Sequence, residues 1–354
     1  MEAHLGRIRD YLRFSGLDAV IITKPENFRY LSGFTGEGLL LITAEKALLL
    51  TDFRYTQQAL QQAPEFEIVR TGIPSVNTLA DEVEKVGVKK AGFESEHVTV
   101  NVLLSWQEKL KGVSLEPLEG VVGKIRMVKD QEEQNTIRKA VEIADQAFKQ
   151  ILSRIIPGVT EREVALELEF IMKRAGAEKL GFDTIIASGP RAALPHGVAS
   201  DRVIAAGDLV TLDFGCFYQG YTSDMTRTVV VGQATDRQRE IYNVVLEAQS
   251  AGLRAVRAGL RGSEVDAVAR QVIADAGYGE YFGHGLGHGV GLEIHEAPRL
   301  AQSDDTLLAP GMVVTVEPGI YIPEWGGVRI EDMVVVTEDG CEVLTQSTKE
   351  LICL

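Results

Sequence analysis

Cysteine is scarce in this 354-residue chain: Cys216, Cys341 and Cys353 are the only three, an odd number without metal-type spacing. That excludes a disulfide framework and a thiolate metal centre, and it points to reduced thiols in a cytoplasm. Long apolar runs are missing as well, since segments such as Leu39 to Ile42 fall far short of a membrane span. Met1 to Asp10 is polar and mixed in charge, with none of the features of an export signal. Basic residues are outnumbered, 36 against 51 acidic, and the formal charge of -15 repels a phosphate backbone, which argues against a nucleic-acid partner. What the chain does have is 45% hydrophobic residues over a length that suits two domains, as expected of a globular protein. Cys216 lies close to Asp213, but no histidine partner is implied beside it, and a small buried hydrophobe accounts for it better than a nucleophile.

Residues 1 to about 120 alternate helical and strand patterns. An opening helix runs through Leu12, and strands are expected around Ala19 to Thr23, Leu39 to Thr43, Ala47 to Thr51 and Phe66 to Thr71, with a helix-like stretch at Tyr55 to Ala63. This is an α/β pattern. A strand-like Val121-Val122 followed by the charged helix starter Lys129-Asp130-Gln131-Glu132-Glu133 marks a boundary, giving domains of residues 1–122 and 123–354.

The second domain repeats itself. Gly158, Glu163, Val164, Ala175 and Gly176 recur as Gly259, Glu264, Val265, Ala276 and Gly277, each displaced by 101 positions. Each copy predicts an amphipathic helix, with Val164, Leu168, Ile171 and Ala175 on one apolar face and Val265, Val268, Val272 and Ala276 on the other copy's. Thr160 and Glu163 form a capping box, and Gly176 and Gly277 stand where left-handed caps would end the helices.

Behind each helix comes a strand-rich stretch with a pair of acids, Asp213 and Asp224 first, then Glu317 and Glu331. Any one of them alone reads as a turn or surface residue. Together they do not, because Asp213 follows Val210-Thr211-Leu212 and Glu317 follows Val313-Val314-Thr315-Val316, where an unpaired carboxylate is costly or stays protonated. Two divalent cations would neutralise four such charges and acidify a shared water, so the pattern predicts a hydrolase in which a metal-bridging hydroxide attacks. Asp213 and Asp224 are expected to be cross-strand partners in a hairpin turning at Tyr218-Gln219-Gly220-Tyr221, and the glutamates to flank a second turn at Pro323 to Gly327. Period-two alternation puts Arg329 on the Glu331 face, beside metals or substrate.

Three of only six histidines, His284, His288 and His295, fall in one glycine-rich run, where five glycines make a helix improbable. One imidazole is assigned to metal and two to substrate, and His196, before the first acidic strand, is a fourth candidate. Hard oxygen ligands with a single imidazole favour Mn²⁺ or Co²⁺, with Zn²⁺ or Fe²⁺ as alternatives.

The run His284-Gly-Leu-Gly-His288-Gly-Val-Gly-Leu-Glu-Ile-His295-Glu296 resembles the signature of the proline peptidases, prolidase and aminopeptidase P, in the pita-bread metallopeptidase family (M24). The likeness runs through essentially the whole chain. It implies a creatinase-like α/β N-terminal domain followed by an α+β pita-bread domain with an internal pseudo-two-fold repeat. It further implies that Asp213, Asp224, His288, Glu317 and Glu331 bind two metal ions, with Asp224 and Glu331 bridging and Glu317 moving a proton from water to the leaving nitrogen. His196 and His295 would hydrogen-bond the scissile carbonyl and its oxyanion, and His284, Tyr321 and Arg329 would orient the proline side. The implied substrate is a small peptide with proline second, and the implied assembly a homodimer. Dipeptidase action is expected ahead of aminopeptidase action on longer peptides, because the chain carries no extended insertions. Methionine aminopeptidases share the fold and ligands but usually lack so large an N-terminal domain and a histidine at the place of His284, and a silent binding module would have lost the ligands.

Overall fold

The computed structural model describes every residue except Met1 and Pro74, and the chain divides into two compact units, Met1–Arg126 and Met127–Leu354. In the first, helices α1 (Glu2–Ser15), α2 (Pro25–Ser32), α3 (Thr56–Gln62), α4 (Ser75–Val86), α5 (Val100–Lys109) and α6 (Val121–Arg126) accompany six strands. These are β1 (Ala19–Ile22), β2 (Leu39–Thr43), β3 (Ala47–Thr51), β4 (Glu67–Arg70), β5 (Lys90–Glu94) and β6 (Ser114–Leu118), in sheet order β4-β3-β2-β1-β5-β6. The central strands β1, β2 and β3 are mostly apolar and buried along their whole length, as a sheet covered on both faces requires, and Ile21, Leu41, Leu79 and Trp106 share one core. The expected strand at Val121-Val122 is instead the start of α6. Gly120, at φ +61, turns the chain out of β6, and its carbonyl accepts the Lys124 N–H at 2.8 Å to close a helical turn that buries Val122.

The second unit contains α7 (Gln131–Ile151), α8 (Glu161–Arg174), α9 (Asp236–Ala255) and α10 (Gly262–Asp275). Its strands are β7 (Lys179–Leu180), β8 (Ile185–Ser188), β9 (Leu209–Phe214), β10 (Cys216–Tyr218), β11 (Tyr221–Thr222) and β12 (Met225–Val230), then β13 (Gly287–Gly289), β14 (Glu296–Leu300), β15 (Val313–Val316), β16 (Gly319–Ile322), β17 (Gly326–Arg329), β18 (Asp332–Val336) and β19 (Cys341–Val343). The repeat is realised in the helices: α8 and α10 begin, and end, 101 residues apart. Gly158, Gly259, Gly176 and Gly277 all have positive φ, between +81 and +108, so the same turns open and close both copies. Thr160 and Glu163 make the reciprocal capping box. The apolar faces differ from expectation by part of a turn. Val164, Leu168 and Met172 are buried on α8 and Val265, Ala269 and Ile273 on α10, while Val268 is 41% exposed; a stripe spaced by four residues is what packs against the strands.

The strands form antiparallel sheets in the orders β12-β9-β8 and β14-β13-β15-β18-β19, with the smaller sets β11-β10-β7 and β16-β17. Their apolar faces pack on the four helices in two clusters, one around Val245, Val265 and Val334, the other around Phe148, Leu168 and Phe214. This α+β arrangement, with a doubled helix and strand plan, sets the acidic residues between the sheets.

Candidate active site

Asp213 is the fifth residue of β9 and Asp224 lies immediately before β12. Gln219 and Gly220, at φ +47 and +83, make the expected two-residue turn between Tyr218 and Tyr221. The direct cross-strand partner of Asp213, however, is Thr226, not Asp224. The register is unbroken from the turn to β12, with Tyr218 opposite Tyr221, Phe217 opposite Thr222 and Phe214 opposite Met225, so the two-residue turn at Gln219-Gly220 itself sets Asp213 against Thr226. Gly215 lets the strands approach, since a Cβ there would meet the Ser223 carbonyl oxygen at 1.9 Å. Asp224 remains two residues from Thr226, so both acids keep the same face and meet diagonally. The glutamates follow a single register, since Val316 pairs with Asp332 on one side and Gly319 with Arg329 on the other, placing Glu317 opposite Glu331 at the break between β15 and β16.

Glycine explains how His288 reaches these acids. It occupies the middle of β13, wedged between β14 and β15. A Cβ on Gly287 would lie 2.1 Å from the Thr315 carbonyl oxygen, and one on Gly289 2.4 Å from that of Ala297, so only glycine permits three backbones this close. The His288 Nδ1 hydrogen points at its neighbour's carbonyl, Gly289 O, at 3.1 Å. That turns Nε2 toward Glu317 Oε1 at 3.2 Å and Asp224 Oδ2 at 3.5 Å.

Asp213, Asp224 and Glu331 each offer an oxygen, all within 4.8 Å of one another. Among the described residues, Asp213 Oδ1 and Glu331 Oε1 are buried without a hydrogen-bond partner. Burial, and then the neighbouring acids, push the Asp224 and Glu331 carboxyls well above their usual range, and burial raises Asp213 even against Arg329. Burial opposes ionisation of Glu317 too, but its hydrogen bond from His288 and the positive charge of Arg329 outweigh it and hold it down to about 2. Orphaned buried oxygens gathered around one imidazole nitrogen are what a pair of hard cations satisfies, so the donor set fits divalent metal.

The remaining predicted residues fall into two groups. Arg329, 3% exposed, is spent inside the site, donating to Asp213 Oδ2 at 2.5 Å, Thr226 Oγ1 at 3.0 Å and the Tyr321 hydroxyl at 2.8 Å. Tyr321 in turn meets His284 Nε2 at 2.8 Å, while His284 Nδ1 faces Gly285 O at 2.8 Å, which makes Nε2 the acceptor and the ring neutral, in line with the downward push of burial on His284. His196 and His295 are exposed at the mouth of the same cavity of about 520 Å³, and the His295 ring packs edge-on to His288 at 4.3 Å between centroids. All of these side chains except the enclosed Tyr321 line that cavity.

Two further site residues, both threonines, are not evident from the sequence pattern. Thr226 donates to Glu331 Oε2 at 2.7 Å, and Thr315 donates to Glu317 Oε1 at 3.0 Å while accepting the His288 N–H. Each orients a carboxylate, and the one signal for Thr315 is its place two residues before Glu317 on one strand face.

A pseudo-symmetric α+β unit enclosing an acid-lined pocket of this kind is that of a metal-dependent peptidase. Residues 135–338 match metallopeptidase family M24 and residues 4–128 match the creatinase/prolidase N-terminal domain, and the chain belongs to this family, whose chemistry implies divalent metal ions. An Xaa-Pro dipeptidase from Bacillus anthracis of solved structure is 50% identical, covering 100% of this chain and 99% of its own, with a TM-score of 0.98. The Xaa-Pro dipeptidase of Pyrococcus horikoshii is 44% identical over 99% of both chains. An X-Pro aminopeptidase from Thermotoga maritima MSB8 is 40% identical, with a TM-score of 0.92 over 96% of this chain and 98% of its own.

Proposed function

We propose that this protein is an Xaa-Pro dipeptidase that works with two divalent ions, Mn²⁺ or Co²⁺ by the hardness of the oxygen donors, held by Asp213, Asp224, His288, Glu317 and Glu331. The observation that carries the reading is the pair of buried, unpartnered oxygens of Asp213 and Glu331 within reach of Asp224. When bound, such ions acidify water and polarise a carbonyl. A bond to proline has a tertiary amide nitrogen with no N–H to offer, so the chain's own groups must act on the carbonyl and on the nitrogen lone pair. Glu317, held ionised and oriented by Thr315, accepts the proton of the attacking water at its free oxygen and returns it to the leaving nitrogen. His196 and His295, at the mouth, donate to the carbonyl oxygen as charge develops there. Phe182, Ile185 and Val198 supply apolar wall for the ring.

Dipeptidase action is favoured by Arg299. Arg329 is the other arginine in the cavity wall and is fully engaged, whereas the guanidinium of Arg299 has no carboxylate within ion-pair distance among the described residues, and is free to receive the carboxylate that ends a dipeptide. We also infer a homodimer, from the family likeness, and a cytoplasmic setting, from three cysteines that are all free thiols. Among the described residues no helix is long and apolar enough to cross a membrane. The test is a panel of Xaa-Pro dipeptides, Xaa-Pro-Yaa tripeptides and Met-Ala-Ser with Mn²⁺ or Co²⁺. Fastest turnover of the dipeptides is expected; preference for the tripeptides or for Met-Ala-Ser overturns the reading.

A further inference from the structure

The segment that carries His284 has little reason of its own to stay in place, since Gly283 and Gly285 flank the histidine and glycine restrains a backbone least. Its order comes from α10. Asp266 is fully buried and accepts two charge-assisted hydrogen bonds from Arg270 one turn along, both at 2.8 Å. Fixed in that fork, the guanidinium directs its other hydrogens to the Phe282 carbonyl at 2.8 Å and the His284 carbonyl at 2.7 Å, and lies 4.2 Å from the centroid of the Phe282 ring. Asp266 Oδ1 also accepts the Leu286 N–H at 2.9 Å. Three main-chain groups between Phe282 and Leu286 therefore end on one buried ion pair, and the Phe282 ring stands edge-on to the imidazole at 5.1 Å.

The other copy of the repeat is built alike. Glu161 on α8, one turn before the position equivalent to Asp266, is fully buried and accepts from the Ser188 N–H at 2.8 Å and the Ser200 hydroxyl at 2.6 Å, and pairs with Arg191, which reaches the Val198 carbonyl at 2.8 Å. The segment it clamps at both ends carries His196. Each helix thus pins the loop of one pocket histidine.

We propose that the Asp266–Arg270 pair is a positioning device for His284, setting the imidazole and its Tyr321 partner against the proline side of the substrate. This rests on the dipeptidase reading given above. Arginine is required because one planar fork must serve a carboxylate and two carbonyls together, which a lysine ammonium cannot span.

The test is a double-mutant cycle on the metal-loaded enzyme with Arg270→Met, Arg270→Lys, His284→Ala and the Arg270→Met/His284→Ala pair, with metal content and Tm recorded for each. Arg270→Met is expected to raise KM for an Xaa-Pro dipeptide roughly 10- to 100-fold with kcat within about threefold, as loss of orientation does. Arg270→Lys, which keeps the charge and the fold, is expected to recover only part of this. In the His284→Ala background the Arg270 change is expected to cost no more than about twofold, because its route is already cut. Costs that multiply in the double variant, or an Arg270→Met enzyme with unaltered KM, overturn the clamp and leave the dipeptidase reading standing. Should no Xaa-Pro peptide be hydrolysed by the unaltered protein, the dipeptidase reading falls by itself. The clamp is then judged by imidazole ¹⁵N resonances, where Arg270→Met must shift those of His284, and unchanged resonances overturn it.

Discussion

Arg329 donates a 2.5 Å hydrogen bond to Asp213, tying β17 to β9 inside the acidic pocket, so that one oxygen of Asp213 is neutralised within the protein while the other stays unpartnered. The pair is buried, and removing one member leaves a bare charge. Arg329→Met is accordingly expected to lower the stability of the metal-free protein by about 3–5 kcal/mol, measured by urea unfolding. Adding Asp213→Asn should restore most of that loss, since the penalty lies in the stranded carboxylate. Additive destabilisation by the two changes would show that the penalty lies elsewhere.

The acids impose a pH dependence on the metal-free protein. Asp224 and Glu331 are raised well above their usual range by burial and by their acidic neighbours, so the folded chain holds protons there that the unfolded chain has released. Their contribution to stability is full below the ordinary carboxylate range and is lost as pH rises toward the raised values. Glu317, lowered to about 2, acts in the opposite sense, stabilising above the ordinary range and losing that effect as pH falls toward 2. Over an interval starting about one pH unit above the ordinary carboxylate range, the urea midpoint in a chelator should therefore fall as pH rises, and Glu331→Gln should flatten the slope. A midpoint that climbs over that interval contradicts the shifts.

Much of this architecture is legible in the order of the amino acids. The 101-residue offset locates both repeated helices to the residue, because a paired loop glycine and capping glutamate are local signals that tertiary contacts do not override. The four acids stand out because apolar strands surround them. The direct partner of Asp213 is legible as well, since a two-residue turn at Gln219-Gly220 carried back along an unbroken ladder gives Thr226, and the 11-residue spacing of the two aspartates makes them diagonal neighbours instead. Val121-Val122 misleads because two valines satisfy a strand or one side of a short helix equally, and the turn at Gly120 decides between them. The engagement of Arg329 is hidden for another reason. Alternation gives the face of a side chain but not which of several partners on that face will take it.

His196 is exposed at the pocket mouth and distant in sequence from the acids, so its removal should spare the metal centre. His196→Ala is expected to retain metal by elemental analysis and to lose about 10²- to 10³-fold in kcat, the usual worth of one oxyanion donor. Undiminished turnover removes it from the site.

Arg299 separates dipeptides from longer substrates. Arg299→Met is expected to raise KM for an Xaa-Pro dipeptide by about 10- to 100-fold, the worth of a charged hydrogen bond, while changing KM for an Xaa-Pro-Yaa tripeptide by less than about threefold. Equal effects on both substrates assign Arg299 some other task.

If the four carboxylates and His288 form one cage for two cations, cation uptake and catalysis must fail together when the cage is opened. Isothermal titration of chelator-treated protein with Mn²⁺, alongside Glu331→Gln, exposes that link, because Glu331 is the acid with the deepest unpartnered oxygen. Two ions per unaltered chain are expected, with both uptake and Xaa-Pro hydrolysis lost together in the variant. Full uptake by Glu331→Gln, or no uptake by the unaltered chain, would show that no such cage exists.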